Sequence, residues 1–228
     1  MWYNIFRDVV LITISRNFYY YFNGEHIMTA SANPFGILAK TVRIITLAPL
    51  MALATLIMLY VNDPALFGAN AINLWLAILF LTVLPVLAYP LQPVIPGFKG
   101  KGREGQRNLA MVFAVSGYTL GCITNLFLHA SEELWLIYLT YLISGGAIVF
   151  VNKKLHIRAS AHACGIIGPA VMLAAFGIPA ALLVGIPLHF AALWASLRMK
   201  RHTVPQYIAG SIIPIAVLAV LKFLFFIF

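Results

Sequence analysis

Charge is the scarcest property of this chain. Only 9% of its 228 residues are Asp, Glu, Lys or Arg, against about a quarter in an ordinary soluble domain. Acid is scarcer still, with six Asp and Glu against 15 Lys and Arg. So few charges exclude a soluble globular fold, and 62% hydrophobic residues fit a protein that crosses the membrane several times. Cysteine is sparse as well. Cys122 and Cys164 both fall in apolar runs, so no disulfide framework is expected, and the chain lacks the Cys spacing of a metal site. The first 25 residues lack an apolar core followed by a small-residue cleavage site, so they do not form a secretory signal of the usual pattern. Repeats and low-complexity linkers are missing too, which leaves one membrane domain.

What is present is a succession of apolar runs. A helix needs ~20 apolar residues to cross a bilayer. The runs predict helices over 38–62, 71–92, 108–128, 133–151, 160–177, 180–199 and 205–227. The fold class expected is all-α: a polytopic transmembrane helix bundle of six to seven spanning helices, occupying residues 36–228. Residues 1–35 are set apart as an interfacial or non-core segment. MWYNIFRDVVLITISRNFYYYF is aromatic, carries Arg7 and Arg16, and suits a helix lying in the membrane surface. Met28 opens MTASANPFG, a second start compatible with everything that follows.

The few charges alternate. Arg7, Arg16, Lys40 and Arg43 come before or at the start of the first span. Lys99, Lys101, Arg103 and Arg107 lie between the second and third, Lys153, Lys154 and Arg158 between the fourth and fifth, and Arg198, Lys200 and Arg201 between the sixth and seventh. The other loops hold Asp63, Glu132 and Glu133 and no Lys or Arg; Lys222 sits near the end of the last helix. Seven spans produce this alternation, and the positive-inside rule makes the basic face cytoplasmic.

Three basic clusters on that face carry more than topology. KGKGREGQR, residues 99–107, packs four cations into a glycine-rich loop, suited to phosphate oxygens or to anionic headgroups. RASAHACG, residues 158–165, places Arg158, Ser160 and His162 at a helix start, where free N–H groups favour an anion. Ser160 serves there either as helix cap or as phosphate donor. The third cluster is LRMKRHTVPQYIAG. Pro205 suits a first helical turn, and Gln206, four residues after His202, faces the same way if that turn is helical. Gln206 can then hold one nitrogen of His202 and leave the other to attack, as base-and-orienter pairs do.

In order and spacing these segments resemble the motifs of the type 2 phosphatidic acid phosphatase superfamily, written KxxxxxxRP, PSGH and SRxxxxxHxxxD. SAHACG is similar to the second motif and RHTVPQYIAG to the third, and the likeness is best over residues 99–215. It implies a core of that family's type and metal-independent hydrolysis of a lipid phosphate or diphosphate, with no cofactor. His202 would be the nucleophile that takes the phosphoryl group, and His162 the acid that protonates the leaving oxygen. Gln206 would orient His202. Ser160, Lys101, Arg103 and Arg107 would hold phosphate oxygens. The chain departs from the pattern at three charged positions: Gln206 stands where the third motif has Asp, Ser196 where it has Arg, and Gly100 where the first motif has Lys. Arg198 or Arg201 would then supply the missing guanidinium.

The partners implied are a phosphorylated membrane lipid, of the phosphatidic acid, phosphatidylglycerophosphate or polyprenyl phosphate kind, and the bilayer itself. No nucleic acid is expected. A relative that binds or moves phosphorylated lipids without cleaving them is the alternative, because the motif's Asp and Arg are replaced. His189, inside the sixth span, is either an intramembrane functional group or a packing histidine bonded to a neighbouring helix. A solute transporter fits poorly, since charge is almost absent from the spans and no matched pair of broken helices appears.

Overall fold

The computed structural model describes residues 34–68, 71–128 and 130–227. The expectations for residues 1–33 therefore lie outside the described residues. Eight α-helices follow in order: α1 Pro34–Ile45, α2 Ala48–Asn62, α3 Ile72–Leu91, α4 Gly102–Leu128, α5 Glu132–Lys153, α6 Ala161–Ala175, α7 Ala181–Arg198 and α8 Val204–Ile227. A 3₁₀ turn, Pro64–Phe67, follows α2. No strand occurs among the described residues.

Five of these helices, α3, α4, α5, α7 and α8, are long and apolar enough to cross a membrane. The bent pair α1 and α2 makes a sixth when counted as one span. The expected seventh span, α6, is 15 residues long, or ~22 Å at 1.5 Å per residue, shorter than the ~30 Å hydrocarbon core. The outer surface agrees with a membrane setting. Trp75, Leu126, Phe127, Leu183, Val184 and Phe226 are all exposed. Leu56, Leu59, Phe67, Ile137, Tyr138 and Met172 fill the interior. Apolar residues inside and out describe a multi-pass bundle solvated by lipid.

The run expected as one helix over 38–62 is two. α1 stops at Ile45, and α2 leaves at 48° to it. Pro49, in the first turn of α2, is the physical cause. Its ring would collide with the Ile45 carbonyl and it has no N–H to give it, so a continuous helix cannot pass. The bend carries Arg43 and Thr46 to the end of the bundle where the other basic loops gather.

α6 is the central helix of the site half, packing on α2, α7 and α8. α6 and α8 run side by side in the same direction: Ser160 lies at Gly210, Gly168 at Pro214, and Lys222 Nζ donates to the Ala175 carbonyl at 2.5 Å. Lys222, the one cation away from the basic face among the described residues, thus caps the C-terminus of α6, where a positive charge is favoured. α4 packs on α3 and α5, on the other side of the bundle. Two close approaches hold the site end together. A Cβ at Gly210 would run into the Ser160 backbone, and one at Gly165 into Ala48, so α8 and α2 both reach α6 only because those positions are glycine.

Candidate functional site

Three segments meet at the basic end: the α1–α2 bend, the loop into α6, and the loop between α7 and α8. Each is fixed by local capping. α7 ends in a Schellman motif: Arg201 N–H donates to the Ser196 carbonyl at 2.9 Å and Lys200 N–H to the Leu197 carbonyl at 3.0 Å. Lys200 takes the left-handed conformation, φ +51°, normally left to glycine. α8 then starts with half of a capping box, in which Gln206 Oε1 accepts the Thr203 N–H at 3.1 Å. α6 starts at Ser160, whose Oγ accepts the Ala163 N–H at 3.2 Å and whose own N–H donates to the Gln206 carbonyl at 2.9 Å. The α5–α6 loop holds two more left-handed non-glycine residues, His156 and Arg158, clamped by Asn152 Nδ2 on the Ala159 carbonyl. Such backbone is held only where its surroundings demand it.

Between these loops lies a cleft of about 510 Å³, lined by Arg158, Leu197, Lys200, Arg201, His202, Thr203, Val204 and Gln206. Among the described residues, three cations and an imidazole line it, and no carboxylate does. Nδ1 of His202 is buried without a hydrogen-bond partner. Burial holds the His202 pKa below the usual imidazole range, and the Arg43 guanidinium adds to this. The Arg158 backbone and the Gln206 side chain, beside the ring, pull the other way, while the Arg158 charge pushes it further down. His202 is thus neutral at neutral pH, the form in which a ring nitrogen carries a lone pair for attack.

Behind the cleft stand His162 and Arg43. Arg43 Nη1 donates to Ser196 Oγ at 2.7 Å, and Ser196 is fully buried. Thr46 Oγ1 donates to the Val42 carbonyl at 2.6 Å and lies 3.1 Å from His162 Nε2. A hydroxyl has one proton, so Thr46 can only accept from His162. Nε2 therefore carries the hydrogen, and Nδ1 is the basic nitrogen of neutral His162.

His202, Arg201 and Gln206 line the cleft as the sequence suggests, and His162 lies near enough to feel the charges of Arg43 and His202. Ser160 is fully buried and occupied as the α6 cap. Gln206 Oε1 accepts the Thr203 N–H, and the Gln206 side chain also lies within hydrogen-bonding reach of the His202 ring; Nδ1 of His202 itself is buried without a partner. Arg198 is exposed and does not line the cleft, and neither do the exposed Lys101 and Arg107 at the start of α4. The Arg103 side chain lies outside the described residues. The guanidinium that meets Ser196 is that of Arg43. Sequence reasoning took Arg43 for a topology signal and passed over Thr46. The available clue was Pro49, which breaks the run just after both.

His189 belongs to a separate contact between α7 and α8. Its Nε2 lies 3.0 Å from Ser211 Oγ, Tyr207 donates to its carbonyl at 2.9 Å, and its ring sits 4.8 Å from that of Tyr207.

No family model, curated protein or solved structure matches the chain. The fold and site define a class by themselves: an all-α multi-pass membrane bundle with a cationic, histidine-bearing cleft at one end.

Proposed function

We propose that the cleft receives the phosphate of a phosphorylated membrane lipid and that His202 takes the phosphoryl group. One observation carries this reading. His202, neutral and half-buried, stands with Arg158, Lys200 and Arg201 in a cleft at the end of a membrane bundle, with no carboxylate among its described lining residues. Preset cations around a phosphoryl group supply most of the stabilisation its transfer needs. With Nδ1 buried, Nε2 of His202 attacks phosphorus and the bond to the leaving oxygen breaks. His162, protonated at Nδ1, gives that proton to the leaving oxygen. It is then the neutral tautomer that Thr46 holds, ready to take a proton from water. The hydroxide so formed attacks phosphohistidine, releasing inorganic phosphate and free His202. The lipid tails lie against the apolar outer helices. The positive-inside rule assigns the cleft to the cytoplasmic side.

The alternative is binding of a lipid phosphate without turnover. It is favoured by Gln206, which stands where the resembled motif has Asp and brings no negative charge to stabilise a phosphorylated His202. Phosphate release by the purified protein separates the two. The panel is phosphatidic acid, phosphatidylglycerophosphate and a polyprenyl diphosphate, with His202→Ala as control. Release lost in His202→Ala supports the phosphatase. Its pH profile should be two-sided: release falls on the acid side, below the usual imidazole range, as His202 protonates and loses its lone pair, and on the alkaline side as His162 loses the Nδ1 proton it must donate. Release equal in His202→Ala and wild type would overturn the assignment. Binding without release would favour the alternative.

A further inference from the structure

Resting on the phosphate-site reading above, we infer that Arg158 is an anion-binding residue of the cleft, which grips a phosphate from the α5–α6 loop while Lys200 grips it from the α7–α8 loop. Among the described lining residues, all but one belong to the single stretch 197–206, at the end of α7 and the start of α8. Arg158 is the exception, and it makes the α5–α6 loop the other wall of the cleft. Two cationic walls repel each other, and an anion seated between them turns that repulsion into attraction on both sides.

The backbone around Arg158 is fixed on both sides. Ile157 N–H donates to the Val151 carbonyl at 3.4 Å. Asn152 Nδ2 donates to the Ala159 carbonyl at 3.1 Å, and Ser160 N–H to the Gln206 carbonyl. Arg158 itself is left-handed, φ +59°, a conformation that suits glycine and costs other residues energy. Its side chain is exposed and makes no hydrogen bond or ion pair with a described residue. Lys200 matches it: left-handed at φ +51°, exposed, and lining the same cleft. Among the described residues, only three non-glycine residues are left-handed, and two of them are cations of this cleft. The third, His156, does not line it. Backbone strain kept where glycine would relieve it points to a use for the side chain. The planar guanidinium of Arg158 matches two phosphate oxygens at once, and Lys200 adds a point charge. The ligand chemistry is a phosphate dianion, on a lipid or free in solution.

The test uses the full chain in detergent, titrated by calorimetry with inorganic phosphate and, separately, with a short-chain phosphatidic acid. Arg158→Gln should weaken binding of both about tenfold or more, the loss expected for a charge-assisted hydrogen bond. Arg158→Lys should recover part of it, because charge returns without the fork. Arg158→Gly should weaken binding as much and yet raise the midpoint of thermal unfolding in phosphate-free buffer, since glycine relieves the left-handed backbone. His156→Gly is the control. It relieves the same conformation in the same loop, so it should raise the midpoint likewise and leave binding unchanged. Tighter binding of phosphatidic acid than of inorganic phosphate, with both dependent on Arg158, identifies a lipid headgroup as the occupant; tighter binding of inorganic phosphate identifies the free anion, and either sustains the role of Arg158. If Arg158→Gln does not fold, Arg158→Lys and Arg158→Gly carry the test.

Wild-type binding of both ligands in the Arg158 variants would overturn the inference. So would a loss of binding in His156→Gly equal to that in Arg158→Gly, which would make the shape of the loop the cause and not the guanidinium. Failure of the wild-type protein to bind either ligand would instead bring down the phosphate-site reading, and the role of Arg158 with it.

Discussion

A hydroxyl has one proton to give, and Thr46 places its own on the Val42 carbonyl. Its lone pairs are what His162 meets at 3.1 Å. This small asymmetry decides which nitrogen of His162 is basic, and so which side of the ring can exchange a proton with the substrate or with water. Thr46→Val keeps the shape of the side chain and removes the acceptor, leaving Nε2–H unpartnered in a buried position. We expect kcat for phosphate release to fall about tenfold, equivalent to ~1.4 kcal/mol in the barrier, with KM little changed because Thr46 does not line the cleft. Nitrogen NMR of the His162 ring should show a mixture of tautomers in the variant and a single one in the wild type. A single tautomer in both, with unchanged kcat, would mean that Thr46 only packs.

At the scale of elements, the site is a product of helix ends. Ser160 ends one helix problem and Gln206 another, and the two starts are joined by Ser160 N–H on the Gln206 carbonyl. These caps were legible from residue type and position alone, because Ser at an N-cap and Pro in a first turn act within a few residues. The role of Gln206 was legible in half. Its spacing suits the His202 ring, as the sequence suggests, and in the actual turn the same side chain also takes the Thr203 N–H, which no spacing rule announced. Lys200 is a sharper case. In a Schellman motif its place belongs to glycine, and a side chain there costs ~1–2 kcal/mol. Lys200→Gly should therefore raise stability by about 1 kcal/mol, read as a higher midpoint of thermal unfolding in detergent. The same change should weaken phosphate binding, since it removes a cation from the cleft. A destabilised Lys200→Gly protein would contradict the backbone assigned to this loop. Stability exchanged for a charge in the cleft is what a functional reading of Lys200 requires.

Over the whole molecule, the alternation of charge was the most readable feature, and the helices follow it. Basic loops fall at the starts of α4, α6 and α8, Lys40 and Arg43 lie in α1 before the start of α2, and Asp63, Glu132 and Glu133 fall at the opposite ends. What periodicity did not reveal was that three helices are short. α1 has 12 residues; α2 and α6 have 15 each and touch where Ala48 meets Gly165. An apolar run carries no mark of where its helix starts when a proline or a loop borrows residues from it, as Pro49 does at Thr46 and the strained loop does before Ser160. The basic loop at 99–107 misled for the related reason that charge has no address: α4 packs on α3 and α5, so its cations reach the basic face without reaching the cleft. Whether α6 crosses the whole bilayer sets the topology of everything after it. Ser160 beside Gly210 and Ala175 bonded to Lys222 set α6 alongside α8 in the same direction, so we expect that it does. Single cysteines at exposed Lys101, Lys154, Arg198, Asp63 and Glu133, in a Cys122→Ala/Cys164→Ala background, test this with a membrane-impermeant thiol reagent. Lys101→Cys, Lys154→Cys and Arg198→Cys should react from one side, and Asp63→Cys and Glu133→Cys from the other. Positions 154 and 198 are separated by α6 and α7 alone. Labelling of these two from the same side means both helices cross, whereas labelling from opposite sides would make α6 a re-entrant segment and place α8 the other way round.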